Sequence, residues 1–395
     1  MGNLILPRTE MICHGPNIVQ QQLPEVLLQH GLSRAFLLTT PSLVRNGIAE
    51  QVERALGAAH AGSFGESVAH TPRDVVLRAA RAVSQADVDA LICLGGSSVV
   101  DLTKGVAMVV AEGADFESMR IRYRPGEVPV IPRLGQPKLP ILAIPTTLSA
   151  SEYTAGIGIT DRQTGEKHGY VDAKVVPKVV FHDSVICSQT PDALWAATGM
   201  KILSDCLEMI VSNRAGRFTD LYAFEAATIL TEGLPASVQG AHGDAGRLDS
   251  RERLLYAAYL SLSVVLNSSL GLVAAIRHQL GGAHGVGHGE ASAIVLPHVM
   301  RWNAPAASAG YARIARSLRL DAQDDDTAAT EELIRHIEGL IEQLGIPGTL
   351  EAVGIGGDDF AGIAEHVCSD MSIANNPRPV KSPDDVIEVL QTALK

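Results

Sequence analysis

The first half of the chain alternates short apolar runs with longer stretches in which apolar residues recur every three or four positions. Compact apolar runs bounded by turn residues predict strands, and they lie at 34–40, 89–94 and 139–144. The amphipathic stretches predict helices, at 42–56, 72–83 and 99–111. The short runs are apolar throughout, which is typical of parallel strands covered on both faces. We therefore predict an α/β domain built on a parallel sheet.

After about residue 189 the helical pattern takes over, and β-branched runs become scarce. The predicted helices span 193–211, 219–234, 251–278, 292–302, 328–344 and 384–394. This change predicts an α/β domain at 1–188 and an all-helical domain at 189–395, without a proline- or serine-rich linker between them. The acidic run at 321–326 (DAQDDD) is predicted to be an exposed loop.

The composition excludes several classes of protein. Hydrophobic residues make up 46% of the 395 residues and charged residues 19%, so the chain can bury a large core and is not broadly disordered. The 32 basic residues are outnumbered by 44 acidic ones, which gives a net charge of −12. Because no basic run offsets this charge, binding to nucleic acid or to an anionic membrane is disfavoured. We therefore do not expect a nucleic-acid-binding protein.

The cysteines and the apolar runs indicate a compartment. The five cysteines are odd in number and far apart, which suits reduced thiols better than a disulfide framework or a zinc ribbon. They are Cys13, Cys93, Cys187, Cys206 and Cys368. The first fifteen residues do not resemble a signal peptide, and no run approaches 18 apolar residues. We expect a cytoplasmic protein.

Two turns that follow predicted strands carry candidate ligand-binding residues. Gly95, Gly96 and Ser97 connect the strand at 89–94 to a helix. Glycines let the backbone approach an anion, and the helix start offers N–H groups and a positive dipole end, so a diphosphate is the natural ligand. The turn lacks the G-x-G-x-x-G pattern and could also be a simple connection. Thr146 and Thr147 follow the strand at 139–144, at an edge where open α/β sheets bind ligands.

A histidine cluster lies in the second half of the chain. Four of the 13 histidines fall between His278 and His298, in RHQLGGAHGVGHGEASAIVLPH. We predict that His278 lies near a helix end, that Gly281 and Gly282 stop this helix, and that His288 directly precedes the next one. Such imidazoles can serve proton transfer or metal binding.

Together these residues resemble the iron-containing (group III) alcohol dehydrogenases. The resemblance rests on GGSSVVDLTKG, IPTTLSASE, ATGMKILSDCLE, RHQLGGAHGVGHGEASAIVLPHVMRWN and NPRPVKSPDDVIEVLQTAL, in this order along nearly the whole chain. TTLSASEYT is most similar to the maleylacetate reductase branch. The resemblance implies a dinucleotide-binding α/β domain followed by an all-helical domain, the fold shared with the dehydroquinate synthases, and we also expect a homodimer. It implies NAD or NADP as the cofactor, contacted by Gly95, Gly96, Ser97, Asp101, Thr146, Thr147 and Lys167.

The same resemblance indicates that the metal site of the family is changed. The positions of the four metal ligands hold Lys201, Asp205, Ala274 and His288, which cannot form the usual site for a divalent transition metal. We therefore expect no metal. Lys201 and Asp205 are four residues apart on one predicted helix, and Glu208 continues their stripe. They could form an ordinary solvated face, or Lys201 could supply the positive charge that a substrate oxygen needs, held by Asp205.

The resulting expectation is an NAD(P)-dependent oxidoreductase that moves a hydride between nicotinamide and a carbonyl or alcohol carbon. His278 is the first candidate for the proton donor and His288 the second. Thr40 stands where NAD-preferring relatives carry an Asp, so the choice between NAD and NADP stays open. Two alternatives remain: a catalytically dead relative that binds nucleotide, and a lyase like the dehydroquinate synthases, against which the changed metal ligands count.

Overall fold

The computed structural model describes residues 4–123, 127, 129–239, 243–320 and 325–395. Its contacts divide the chain into two units, and the division falls between Thr190 and Pro191, two residues after the expected boundary at 188. Residues 4–6 belong to the helical unit, because the backbone N–H and C=O of Ile5 form hydrogen bonds of 2.8 and 2.7 Å with the Asn267 side chain.

The α/β unit is built on one parallel sheet, as the apolar runs predict. Its strands are β1 (Met11–Gly15), β2 (Ala35–Leu38), β3 (His60–Phe64), β4 (Ala90–Gly95), β5 (Ile141–Pro145) and β8 (Val179–Asp183). Their order across the sheet is β1-β8-β5-β4-β2-β3, and all their pairings are parallel. The three predicted strands are β2, β4 and β5 in the middle of the sheet. The sequence pattern missed β1 and β3, which lie at the sheet edges, where polar and glycine residues are tolerated. It also missed β8, a fully buried strand between β1 and β5 whose short apolar run ends in His182 and Asp183.

Helices cover both faces of this sheet. They are α1 (Ile18–Gln29), α2 (Pro41–Arg45), α3 (Ile48–Leu56), α4 (Arg73–Gln85), α5 (Ser97–Glu112), α6 (Phe116–Met119) and α7 (Ser184–Ser188). Helices α1 and α3 pack against each other, as do α4 and α5. The single helix predicted at 42–56 is in fact α2 and α3, because Gly47 lies between them with a φ of 72°, which a helix cannot contain. An antiparallel hairpin, β6 (Gly156–Thr160) and β7 (Lys167–Val171), packs against α5 through β6.

The other unit is helical in its described residues. Its helices are α8 (Asp192–Val211), α9 (Arg217–Gln239), α10 (Gly243–Leu262), α11 (Leu272–His284), α12 (His288–Ser317), α13 (Asp326–Gln343), α14 (Phe360–Val367) and α15 (Pro383–Thr392). Helix α8 is buried along most of its length and packs against α9 and α12. It therefore forms the centre of this unit's core.

Several predictions in this unit need correction. The helix predicted at 292–302 is much longer and forms α12, His288–Ser317. The helix predicted at 251–278 is interrupted: α10 ends at Leu262 and α11 begins at Leu272. Ser268 in the interruption donates its hydroxyl to the Met209 carbonyl, 2.9 Å away, which anchors the chain where it leaves the helical path. Within the acidic run, 321–324 lie outside the described residues. Asp325 is the N-cap of α13 and accepts hydrogen bonds from the N–H groups of Thr327 and Ala328.

The described residues contain no single helix with the length and low charge content needed to cross a bilayer. The segments Ala245–Asn267 and Leu272–His284 reach that apolar length only together, and the chain bends by 107° between them.

Candidate active site

The carboxyl ends of β2 and β4 lie side by side in the sheet of the α/β unit. These strands are neighbours, yet β2 leads to α3 on one face of the sheet while β4 leads to α5 on the other. A crevice opens where the chain directions separate in this way, and open α/β sheets bind their ligands there. The Thr39 hydroxyl joins the two strand ends by donating to the Leu94 carbonyl over 3.0 Å.

The glycine turn lies at this edge and has the shape of an anion cradle. Gly95 has a φ of 152°, and a Cβ there would lie 2.5 Å from Cγ2 of Val99. A Cβ on Gly96 would lie 2.9 Å from Oγ1 of Thr147. Helix α5 begins at Ser97 without a side-chain cap, so the N–H groups of its first turn and the positive end of its dipole are available to an anion that approaches the glycine backbone. These residues fit a cofactor diphosphate.

The predicted threonines lie beside this turn. The backbone N–H of Thr146 donates to the Gly95 carbonyl over 3.2 Å, and Gly95 pairs with Pro145 in the sheet register. The Thr190 hydroxyl donates to the Thr146 carbonyl at 2.6 Å and so holds the start of the segment that follows β5. The structure therefore brings together Gly95, Gly96, Ser97, Thr146 and Thr147.

The remaining predicted cofactor residues occupy two other places. Asp101, one turn along α5 from Ser97, and Lys167 on β7 both face Gly158, where a Cβ would lie 3.4 Å from Oδ2 of Asp101 and 3.0 Å from Nζ of Lys167. Thr40 is the N-cap of α2: its hydroxyl accepts from the N–H of Leu43. This capping role accounts for a hydroxyl at position 40 without reference to a cofactor.

Lys104 is a residue whose importance the sequence analysis missed. It is buried on α5, and its ammonium donates to the carbonyls of Ser151, Thr154 and Gly156 at 2.6 to 3.2 Å. Burial lowers its pKa to about 8, although Asp101 and Glu152 favour the charged form. Lys104 thus ties the loop after Thr147 to the helix that starts at the glycine turn. A lone lysine within the apolar sequence VVDLTKGVAMVV was the available signal.

In the helical unit, Lys201 and Asp205 belong to a buried charge cluster. Nζ of Lys201 lies 2.7 Å from Oδ2 of Asp205, and Nη1 of Arg277 lies 2.8 Å from its Oδ1. The Asp205 side chain is 0% exposed, Arg277 3% and Lys201 15%. Burial opposes ionisation of Asp205, but the charges of Arg277 and Lys201 outweigh it and hold the pKa below its ordinary value. The solvated-face interpretation of this stripe is therefore wrong.

The cluster carries one net positive charge, and Lys201 is its most accessible cation. Arg277 also donates to the Ser292 hydroxyl at 3.0 Å, and this hydroxyl donates to the His288 carbonyl. Arg277 is therefore committed to partners within the protein, and Lys201 is the group that can face a substrate oxygen.

Glu208 does not join the ion pair of Lys201 and Asp205, although its position on the same helix stripe suggested this. Its carboxylate accepts from the N–H of Val273 at 2.6 Å and from that of Ala274 at 3.3 Å. Glu208 thus caps the start of α11, whose own N-cap, Gly271, provides no side chain. Burial raises the pKa of Glu208 to about 7, against the opposing influence of Arg277.

The two candidate proton donors lie close together. The rings of His278 and His288 are 6.2 Å apart between centroids and nearly perpendicular. The prediction that His278 lies near a helix end is wrong, because His278 lies in the middle of α11. This helix runs through Gly281 and Gly282 and ends before Gly285, where φ is 71°. The prediction that the glycine pair stops this helix is therefore wrong. Gly281 instead provides room for the ring of His288, since a Cβ on Gly281 would lie 2.8 Å from Nδ1 of that ring. His288 begins α12.

The four residues that the resemblance aligns with metal ligands do not fit a transition-metal site. Both oxygens of Asp205 face cations, and Ala274 has no donor atom. An ammonium and a guanidinium replace the lone pairs that Zn²⁺ or Fe²⁺ requires. In the described part of the chain, no group of three or more His, Cys, Asp or Glu side chains could hold a metal ion.

Comparisons with known proteins agree with this architecture. Residues 9–184 match the family described as iron-containing alcohol dehydrogenase, and residues 195–394 match the C-terminal part of the Fe-containing alcohol dehydrogenase family. The chain is 29% identical to an NAD-dependent methanol dehydrogenase of Bacillus methanolicus, covering 100% of both. It is 31% identical to the lactaldehyde reductase of Escherichia coli K12, covering 94% of both.

Among solved structures, the chain is similar to the maleylacetate reductase of Agrobacterium tumefaciens. The TM-score is 0.80 and the sequence identity 26%, over 100% of this chain and 99% of that one. The family matches together cover both units, and the α/β sheet followed by a helical unit is the fold of these relatives. The chain belongs to the iron-containing alcohol dehydrogenase family of oxidoreductases.

Proposed function

We propose that the protein is an NAD(P)H-dependent carbonyl reductase that works without a metal ion. The observation that carries the proposal is the cluster of Lys201, Asp205 and Arg277, in which two cations surround one carboxylate at positions where the family resemblance expects metal ligands. A fixed cation in a largely dry environment stabilises the negative charge that develops on a carbonyl oxygen during reduction. Lys201 is the proposed source of that charge.

The cofactor part of the proposal rests on the α/β unit. NAD(P)H, when bound, supplies a hydride from C4 of its nicotinamide. Gly95, Gly96 and Ser97 would hold the diphosphate, with Thr146 and Thr147 beside it. The capping hydroxyl of Thr40 carries no negative charge that would repel the 2′-phosphate of NADP, so either cofactor is compatible with the proposal.

The helical unit supplies the proposed acid–base chemistry. As the substrate carbon gains a hydride, the electron pair of the C=O bond moves to oxygen. Lys201 stabilises this charge, and His278 donates a proton to the oxygen. His288 is the second candidate for the donor. Reduction is the favoured direction, in keeping with the names of the lactaldehyde and maleylacetate reductases to which the chain is similar.

The alternatives have less support. A dehydroquinate synthase-like lyase would need the metal that these residues do not fit. A catalytically dead relative would have no use for the buried ion pairs around Asp205, which are costly to maintain.

The proposal also includes a homodimer in the cytoplasm acting on a small molecule. None of the five cysteines, all of which lie in the described part of the chain, forms a disulfide.

The direct test is an activity screen on chelator-treated protein, with NADH and NADPH and a panel of small aldehydes, ketones and keto acids. We expect oxidation of the cofactor with less than about 0.1 iron or zinc per chain by elemental analysis, as an order-of-magnitude threshold for a site that the donor set does not fit. Activity that disappears on chelation and returns with one equivalent of metal would reject the proposal.

A glycine variant serves as the internal control of this screen. Gly96→Val places a branched side chain against Thr147 where the backbone must approach phosphate, and it should abolish cofactor binding and turnover together. Gly135→Val is the matched control, because a Cβ there has no atom within 4 Å. Equal cofactor affinity of the Gly96→Val variant and the unmodified protein, measured by fluorescence titration, would contradict the assignment of the turn.

A further inference from the structure

We infer that Asp370 is a positioning residue that orients His278 for proton transfer, an inference that rests on the proposed function. Oδ2 of Asp370 lies 2.7 Å from Nδ1 of His278, and the two residues are 92 positions apart in the chain. The Asp370 side chain is 12% exposed, whereas His278 is 42% exposed. The carboxylate is therefore sheltered while the imidazole remains accessible.

Asp370 is itself held in place by the backbone that follows it. It caps a short 3-10 helix, Met371–Asn375, by accepting the Ser372 N–H at Oδ1 over 2.8 Å. The next residue, Asn376, accepts the N–H of Leu272 at the start of α11. Since His278 lies on α11, the segment that carries Asp370 is anchored to the helix that carries its partner.

The charge on Asp370 favours this arrangement. Burial acts to raise its pKa, but His278 and the hydrogen bonds from Ser372 outweigh burial, so the pKa lies well below the ordinary value. Asp370 is then ionised at neutral pH, and a carboxylate can only accept a hydrogen bond. His278 must therefore carry a proton on Nδ1.

This assignment determines which nitrogen exchanges a proton with the substrate. With Nδ1–H donated to Asp370, Nε2 is the remaining nitrogen. In reduction, protonated His278 transfers the Nε2 proton to the oxygen that receives the C=O electron pair, and it ends as a neutral imidazole that still donates Nδ1–H to Asp370. Oxidation runs the same transfer in reverse. A carboxylate that fixes the tautomer of a catalytic histidine acts in the same way in hydrolases.

The test compares Asp370→Asn with the unmodified enzyme, using NADH or NADPH and the carbonyl substrate found in the activity screen. An amide can cap the 3-10 helix, but its NH₂ group favours the tautomer with the proton on Nε2. We expect kcat to fall by about 10²-fold, with little change in KM or melting temperature. Asp370→Ser keeps a capping oxygen without a carboxylate, and its kcat should fall by a similar factor. Asp325→Asn is the matched control, since Asp325 caps α13 in the same manner without a histidine partner.

A double variant separates orientation from structure. If Asp370 acts through His278, adding Asp370→Asn to His278→Ala should cause no further loss of kcat. The inference would be overturned if the fold-losses in kcat of the two single variants multiplied in the double variant. It would also be overturned if Asp370→Asn left kcat unchanged while His278→Ala lowered it. Full activity of His278→Ala would instead overturn the proposed role of His278.

Discussion

Lys201 places an ammonium group, mostly shielded from water, 2.7 Å from a carboxylate that is fully buried. Arg277 neutralises the same carboxylate from its other oxygen. Burying three ionised groups costs free energy that direct ion pairing only partly returns. A cluster of this kind contributes little to stability compared with an apolar core, which is consistent with the proposed role of its positive charge.

At Lys201 the proposal makes a specific prediction. Lys201→Met keeps much of the side-chain length and removes the charge. Turnover should fall by roughly 10²- to 10³-fold, the usual cost of losing one fixed donor to a developing oxyanion, while cofactor affinity stays nearly constant. Steady-state kinetics and cofactor titration measure the two effects separately.

The control for this variant is Lys178→Met, which removes a lysine from an exposed ion pair with Glu10. Exposed pairs of this kind contribute little, so turnover should be unchanged. A loss of less than about twofold in Lys201→Met, below the effect expected of such a donor, would mean that the substrate oxygen is stabilised by another group.

At the scale of elements, α11 combines several tasks. Its start is capped by Glu208 from α8, its middle carries Arg277 and His278, and its last turns pass close to the first residue of α12. Glycine weakens a helix by about 1 kcal/mol relative to alanine. Two adjacent glycines in α11 therefore require a reason, and at Gly281 the reason is the His288 ring.

The glycine pair allows a matched comparison of two alanine variants. Gly281→Ala would bring a methyl group within 2.8 Å of His288 Nδ1, whereas Gly282→Ala meets nothing within 4 Å. Gly282→Ala should stabilise the protein by several tenths of a kcal/mol and leave turnover unchanged. Gly281→Ala should displace the ring and lower turnover, and melting curves recorded with kinetics distinguish the two. Identical behaviour of both variants would refute the packing role of Gly281.

At the scale of the whole molecule, Glu208 connects stability to pH. Its pKa is raised by burial to about 7 from a value of 4.5. The folded state thus holds a proton that the unfolded state has released between these pH values. The free energy of unfolding therefore falls as pH rises through this window, by roughly 3 kcal/mol at 1.36 kcal/mol per pH unit. Above about pH 7, Glu208 causes no further change.

We predict that Glu208→Gln removes this contribution, because an amide does not titrate. The two tryptophans, Trp195 and Trp302, lie on α8 and α12, so urea unfolding followed by their fluorescence reports on the helical unit. Between pH 5 and 7.5 the unmodified protein should lose more stability than Glu208→Gln. Glu225→Gln, at an exposed position of α9, should retain the slope of the unmodified protein. Parallel slopes in all three proteins would show that Glu208 does not titrate in this range.

The elements that could be predicted from the sequence are those that depend on local interactions. The strands β2, β4 and β5, most helices and the glycine turn at Gly95 depend on residues close together in the chain, so hydrophobic period and turn chemistry identify them. Edge strands β1 and β3 escaped notice because polar residues are tolerated there, and the inner strand β8 escaped because its apolar run is only three residues long before His182 and Asp183. The interruption between α10 and α11 also escaped, because a serine hydroxyl bonded to a distant carbonyl holds the chain out of the helix.

The tertiary structure decided how the candidate site residues are used. Lys201 and Asp205 form a pair that helical spacing predicts, but Arg277 reaches Asp205 across 72 positions and Asp370 reaches His278 across 92. Glu208 likewise caps another helix, 65 positions away at Val273. Gly281 accommodates the ring of His288, which is near in sequence but belongs to the next helix. No local period encodes such partners, since a buried charge or imidazole is assigned its role by whichever groups the folded chain brings within hydrogen-bonding distance.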